Sequence, residues 1–168
     1  MSAPLPSANL LHKQLKEMQT DRDMASISVG LVNDNIYEWE VMLMISDDCE
    51  FYGGGFFRAR LSFPRLYPHD PPTMKFETPL WHPNIYSDGR VCISILHAPG
   101  DDEYGYESAS ERWLPVRTPE SILISVISLL SSPNDESPAN LEAAKQWRED
   151  PTGFKKRTRK CVRDSLEV

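Results

Sequence analysis

The chain has 168 residues, 40% of them apolar and 26% charged, and a net charge of −7. That length suits one globular domain with a buried core. The acidic balance speaks against a nucleic-acid partner, and no run of about 18 apolar residues is present to cross a membrane.

Leu11, Leu15 and Met18 fall at helical spacing, which predicts a short amphipathic helix over residues 9–19. The period then changes to two. Ile27, Val29 and Leu31 share one face of a first run, and Tyr37, Trp39, Val41, Leu43 and Ile45 one face of a second. Phe57, Ala59, Leu61 and Phe63 alternate with Arg58 and Arg60 in a third, and Met74 and Phe76 mark a fourth. Turn signals at 33–35 and 52–55 separate these runs, so a four-stranded antiparallel meander with one covered face is expected. Four prolines in "PRLYPHDPP", residues 64–72, make a rigid connection, since proline cannot donate to a strand ladder.

From Pro79 to about Pro115 no period holds. A stretch that long inside a compact domain is functional or disordered. Helices return afterwards. Thr118, Ser137 and Asp150 each precede a proline, which places a capping side chain before a first helical residue three times over. "ESILISVISLL" is apolar nearly all round and is expected to form a buried central helix; helices over 138–149 and 151–166 follow, the last with a basic face. Helix, sheet and helices segregated along the chain indicate an α+β fold.

The three cysteines, Cys49, Cys92 and Cys161, are odd in number and far apart. The first residues show no basic start followed by an apolar stretch. Free thiols in a cytoplasmic or nuclear protein are therefore expected. His12, His69, His82 and His97 form no zinc-finger spacing with them, so no structural metal or cofactor is expected.

Cys92 lies inside the irregular stretch, in "VCISIL", and two readings stand open there. Free cysteines are often inert core residues. A thiol near its free pKa is nevertheless a few per cent ionised at neutral pH and strongly nucleophilic, so it can exchange with an incoming thioester. A later attack by an amine would put negative charge on the thioester oxygen, and Asn84 carries an amide donor suited to it. Asn84 equally suits a turn residue that bonds main chain. His82 and His97 are candidates for a base by sequence distance alone.

"HPN" at 82–84, eight residues before the cysteine of "GRVCISIL", is followed by "RWLP", "LLSSPNDESPAN" and "A..W". In combination these resemble the ubiquitin-conjugating enzymes, from the first helix to about residue 166. An insertion at about 98–110, within "HAPGDDEYGYESASERW", resembles the G subgroup, whose acidic loop lies beside the active site. The resemblance implies a single catalytic domain over residues 1–168. Cys92 would take ubiquitin from the ubiquitin-activating enzyme as a thioester and pass it to lysines with a RING-type ligase. Lysine-48-linked chains for proteasomal degradation would be the product. Asn84 would stabilise the oxyanion or support the active-site loop, and His82 and Pro83 would be structural. His97, Asp101, Asp102 and Ser137 would line or support the site. The resemblance places ligase contacts at His69 and at Leu114, Pro115 and Val116. It leaves room for a partner that recruits the protein to the endoplasmic reticulum surface.

Several positions depart from the family pattern. "SDDCEFY" replaces its usual Gly-Pro-Pro-Asp-Thr turn, so a looser edge is expected at 46–52. His69 stands where many members carry a large apolar residue. Ser94 and Ser137 stand where many carry aspartate, which leaves the acidic loop to supply charge. The basic last helix is either a solvated face or a docking surface. Outside conjugation, a non-catalytic ubiquitin-binding scaffold and a cysteine hydrolase remain as competing readings of the same thiol.

Overall fold

Residues 5–98, 111–135 and 138–167 are described by the computed structural model. Helix α1 spans Pro6–Thr20. It starts earlier than the apolar spacing indicates because Pro6 occupies the first turn, where a missing N–H costs nothing. Leu11, Leu15 and Met18 are buried as the spacing requires. Polar residues share that face: Ser7 Oγ and Tyr37 OH are 2.8 Å apart, and Tyr67 OH donates to Gln14 Oε1 at 2.7 Å. The helix is thereby tied to the sheet and to the proline-rich connection.

The strands β1 (Ile27–Val32), β2 (Asn35–Met44), β3 (Phe56–Ser62) and β4 (Thr73–Phe76) form an antiparallel sheet in chain order. Trp39 faces Leu61, and Val41 faces Ala59. These four, with Leu43, Phe57, Met74 and Phe76, are buried, whereas Glu40, Arg58, Arg60 and Lys75 point to solvent. Asn33 and Asp34 both take positive φ, 52° and 58°, the geometry a two-residue hairpin needs. The pairing shifts by three residues between Leu31, which faces Trp39, and Val32, which faces Asn35, and beyond the shift Ile36 is buried while Tyr37 is only half-buried.

The turn at 46–55 is not loose. Gly54 N–H donates to Ile45 at 2.8 Å and Gly53 N–H to Cys49 at 3.0 Å. Cys49 and Tyr52 are buried beneath it, and Arg159 donates to the Gly53 carbonyl at 2.8 Å. Buried aromatic area and main-chain bonds replace the rigidity that prolines supply in the usual pattern.

Helix α2 (Pro119–Ser131) has the expected Thr118 cap, with Thr118 Oγ1 accepting the Ser121 N–H at 3.2 Å. It buries Ile122, Leu123, Val126 and Leu130, but Ile124 is 47% exposed, so the helix is covered on one side only. Helix α4 (Pro151–Ser165) begins after the Asp150 cap as the sequence indicates. Helix α3 (Leu141–Glu149) does not begin at Pro138: its cap is Asn140. The Ala139 and Asn140 N–H groups both donate to the Pro83 carbonyl, at 2.8 and 2.9 Å, which holds this connection in a turn. Among the described residues no helix is long and apolar enough to cross a membrane.

Candidate active site

A single bridge seats the irregular segment on β4, and two more fold the segment on itself. Lys75 pairs with Arg90, His82 with Ile85 and Ile85 with Val91. Gly89 closes the tight turn with φ of 100°, and any Cβ there would run into the Phe76 carbonyl, so only glycine fits.

His82 is fully buried. Its Nδ1 accepts the Asn84 N–H at 2.9 Å, and its Nε2–H donates to the Leu129 carbonyl of α2 at 2.8 Å. Those two bonds select the neutral ring and one tautomer. Burial lowers its pKa to about 4. With its lone pair engaged, His82 is a strut and not a base.

Asn84 is 3% exposed. Its side-chain Nδ2 donates to the Asn134 carbonyl at 2.6 Å, and its Oδ1 accepts the Asn134 N–H at 2.9 Å. Its own carbonyl accepts the Cys92 N–H at 2.9 Å. Buried Pro83 supplies the carbonyl that holds Ala139 and Asn140. The three turn residues therefore bind the end of α2, the connection into α3 and the cysteine to one another. Both ends of the Asn84 amide grip main chain, so this geometry makes it a brace.

Cys92 is half-buried, and its Sγ lies 3.9 Å from His97 Nε2. A 3-10 turn at Ser94–Leu96 brings His97 back to the thiol; the His97 N–H donates to Ser94 at 2.9 Å, and its carbonyl accepts the Trp113 N–H at 3.1 Å. A cleft of about 430 Å³ adjoins this segment, with Ser94, Arg117, Ser128 and Leu129 among its lining residues. Of the other thiols, Cys49 is buried and donates to the Leu130 carbonyl at 3.8 Å, and burial pushes Cys161 above its ordinary pKa. Asp101, Asp102 and Ser137 lie outside the described residues.

The expected ligase contacts come together elsewhere. The His69 side chain is 83% exposed, 2.9 Å from Asp70. Leu114 is half-buried, and Pro115 and Val116 are exposed. Trp113 joins the two loops, donating its indole N–H to the Pro68 carbonyl at 2.8 Å. Sequence reasoning missed exposed Leu66 in the same proline-rich loop, whose signal was an apolar residue among prolines. It also missed Asn134, which only its place in "SPN" would suggest.

Comparison with known proteins settles what this geometry belongs to. The family model described as "Ubiquitin-conjugating enzyme" matches residues 10–162. The chain belongs to that family. A ubiquitin-conjugating enzyme E2 15 from Schizosaccharomyces pombe is 63% identical over 163 residues, covering 96% of each chain. The human ubiquitin-conjugating enzyme E2 G2 is 48% identical over 156 residues, covering 93% of this chain and 94% of that protein. The structure of human ubiquitin-conjugating enzyme E2 G1 aligns with a TM-score of 0.67 at 43% identity, covering 79% of this chain and all of that one. These relatives place this ubiquitin-conjugating enzyme in the G subgroup. It is a transferase that works through a cysteine thioester, with ubiquitin, an activating enzyme and ligases as partners.

Proposed function

We propose that Cys92 is the thioester-forming cysteine. One observation carries this reading: its thiol is half-exposed while its N–H is bonded to the carbonyl of Asn84, in the braced turn. A fixed main chain beneath a reachable sulfur suits acyl exchange. The Cys92 thiolate attacks the activating enzyme's thioester carbonyl, the activating enzyme's thiolate leaves, and the acyl group ends on Sγ. A neutral lysine Nζ then attacks that carbonyl, an isopeptide bond forms, Cys92 leaves as thiolate, and the amine gives up a proton. His97, 3.9 Å from the sulfur, is placed to receive it.

Lysine-48-linked chain building, and through it degradation, belongs to the same proposal. An acceptor lysine has a pKa near 10.4, and carboxylates raise it further. The acidic stretch with Asp101 and Asp102 must therefore act by orienting the lysine. Ser137, at the place of a familial aspartate, leaves that task to the loop. A RING-type ligase docks on exposed Leu66, His69, Pro115 and Val116 and half-buried Leu114, at the tips of two loops tied by Trp113. The protein acts in the cytoplasm or nucleus, where a partner can recruit it to the endoplasmic reticulum.

The test is incubation with activating enzyme, ubiquitin and ATP. The wild type gives a reductant-sensitive adduct one ubiquitin heavier; Cys92→Ser gives at most a reductant-resistant one. A reducible adduct of equal yield in Cys92→Ser would remove the sulfur from its role. Ubiquitin with arginine in place of its lysine 48 stops chain growth if the linkage is right, and unchanged growth excludes it.

A further inference from the structure

Trp81 stands immediately before the His82–Asn84 turn, half-buried where that turn meets α3 and α4. Its indole N–H donates to Gln146 Oε1 of α3 at 2.8 Å. The guanidinium of Arg157, on α4, lies over its ring, 3.5 Å from guanidinium carbon to ring centroid. Its carbonyl accepts the Tyr52 hydroxyl at 2.5 Å. Tyr52 also lies against the His82 ring, with centroids 5.7 Å apart. Tyr52 of the edge turn, Gln146 of α3 and Arg157 of α4 thus converge on one residue bonded directly to His82.

Packing alone asks less of this position. An indole N–H needs one acceptor, and Arg157 is an exposed side chain that stacks on the ring although water is open to it. A planar guanidinium suits an aromatic face in a way a lysine ammonium does not. Trp81 leads by covalent bonds to His82 and Asn84, and from Asn84 by one hydrogen bond to Cys92. Acyl transfer is sensitive to such support, because a misplacement of about 1 Å can slow a reaction by roughly 10²-fold.

We propose that Trp81 is a positioning residue for acyl transfer, clamped by Arg157 and Gln146 and acting on Cys92 through His82 and Asn84. This rests on the reading of Cys92 as the thioester cysteine. The test preloads the full chain with ubiquitin, depletes ATP, adds free lysine and follows decay of the thioester as a first-order rate constant. That constant is read on molecules already loaded, so a smaller folded fraction lowers the amount of thioester and not its rate of decay. Arg157→Ala and Gln146→Leu each slow decay about fivefold or more, and Trp81→Leu by roughly 10²-fold. Arg157→Lys recovers part of the loss, since it restores a cation without the planar fork. Lys156→Ala, which removes an exposed neighbouring cation, changes the constant by less than about twofold. Wild-type decay in both Arg157→Ala and Gln146→Leu overturns the proposal. A second measurement stands apart from activity: the Cys92 amide and His82 ring N–H signals in heteronuclear NMR shift in Arg157→Ala and hold still in Lys156→Ala. If Cys92 does not carry ubiquitin, the function proposed above fails in the wild type, and these signals alone decide the clamp. Unmoved signals in Arg157→Ala refute it.

Discussion

At the scale of single residues, the two polar side chains of the turn have separate and measurable consequences. Burial holds His82 neutral, with a pKa of about 4 against an ordinary 6.5. Between those pH values the unfolded chain binds a proton that the folded protein does not, so acid favours unfolding. On this basis about 3 kcal/mol of stability, fully present above pH 6.5, is lost as pH falls to 4. Denaturant melts of wild type and His82→Gln across that range check it: the variant shows the shallower decline, and parallel curves contradict the account. Asn84→Ala removes the brace and both of its hydrogen bonds to the Asn134 main chain. That costs about 2 kcal/mol and slows loading and lysine transfer alike. Single-turnover assays of the two steps provide the check; a loss confined to lysine transfer would instead restore the oxyanion role. Both roles of Asn84 were legible in its chemistry. What decides between them is a main chain 50 residues away, which no local pattern marks.

At the scale of elements, the strands were legible because period-two patterning sorts residues such as Val41 and Glu40 to opposite faces. The caps of α2 and α4 were legible for the same reason: Thr118 and Asp150 act within their own helical turn. The start of α3 was not. Ser137-Pro138 carries the same signature, but the carbonyl of Pro83, distant in the chain, takes the N–H groups of Ala139 and of the true cap, Asn140. The edge turn misled for a like reason, since its firmness comes from buried Tyr52 and from Arg159 of α4. Part of the basic charge of α4 is answered within the helix, where Lys160 donates to Asp164 at 2.8 Å. The two loops of the proposed ligase face depend on Trp113, itself fully buried. Trp113→Phe keeps the ring but orphans the Pro68 carbonyl, at about 1–3 kcal/mol. Ligase-stimulated transfer should then fall more than unstimulated transfer; equal falls would place Trp113 in general support of the fold.

At the scale of the whole molecule, the sheet supplies a rigid back, and α2, α3 and α4 close over the segment that leaves it. Long-range bonds do most of the positioning: Leu129 to His82, Asn134 to Asn84, Pro83 to Ala139, Gln146 to Trp81. At that junction Cys92 holds its half-exposed sulfur 3.9 Å from His97 Nε2. Everything rests on that sulfur being the one that is loaded. Peptide mapping of the ubiquitin adduct, kept under acid non-reducing conditions, locates it directly. The account predicts the ubiquitin C-terminal remnant on the peptide containing Cys92, and its finding on Cys49 or Cys161 would contradict it.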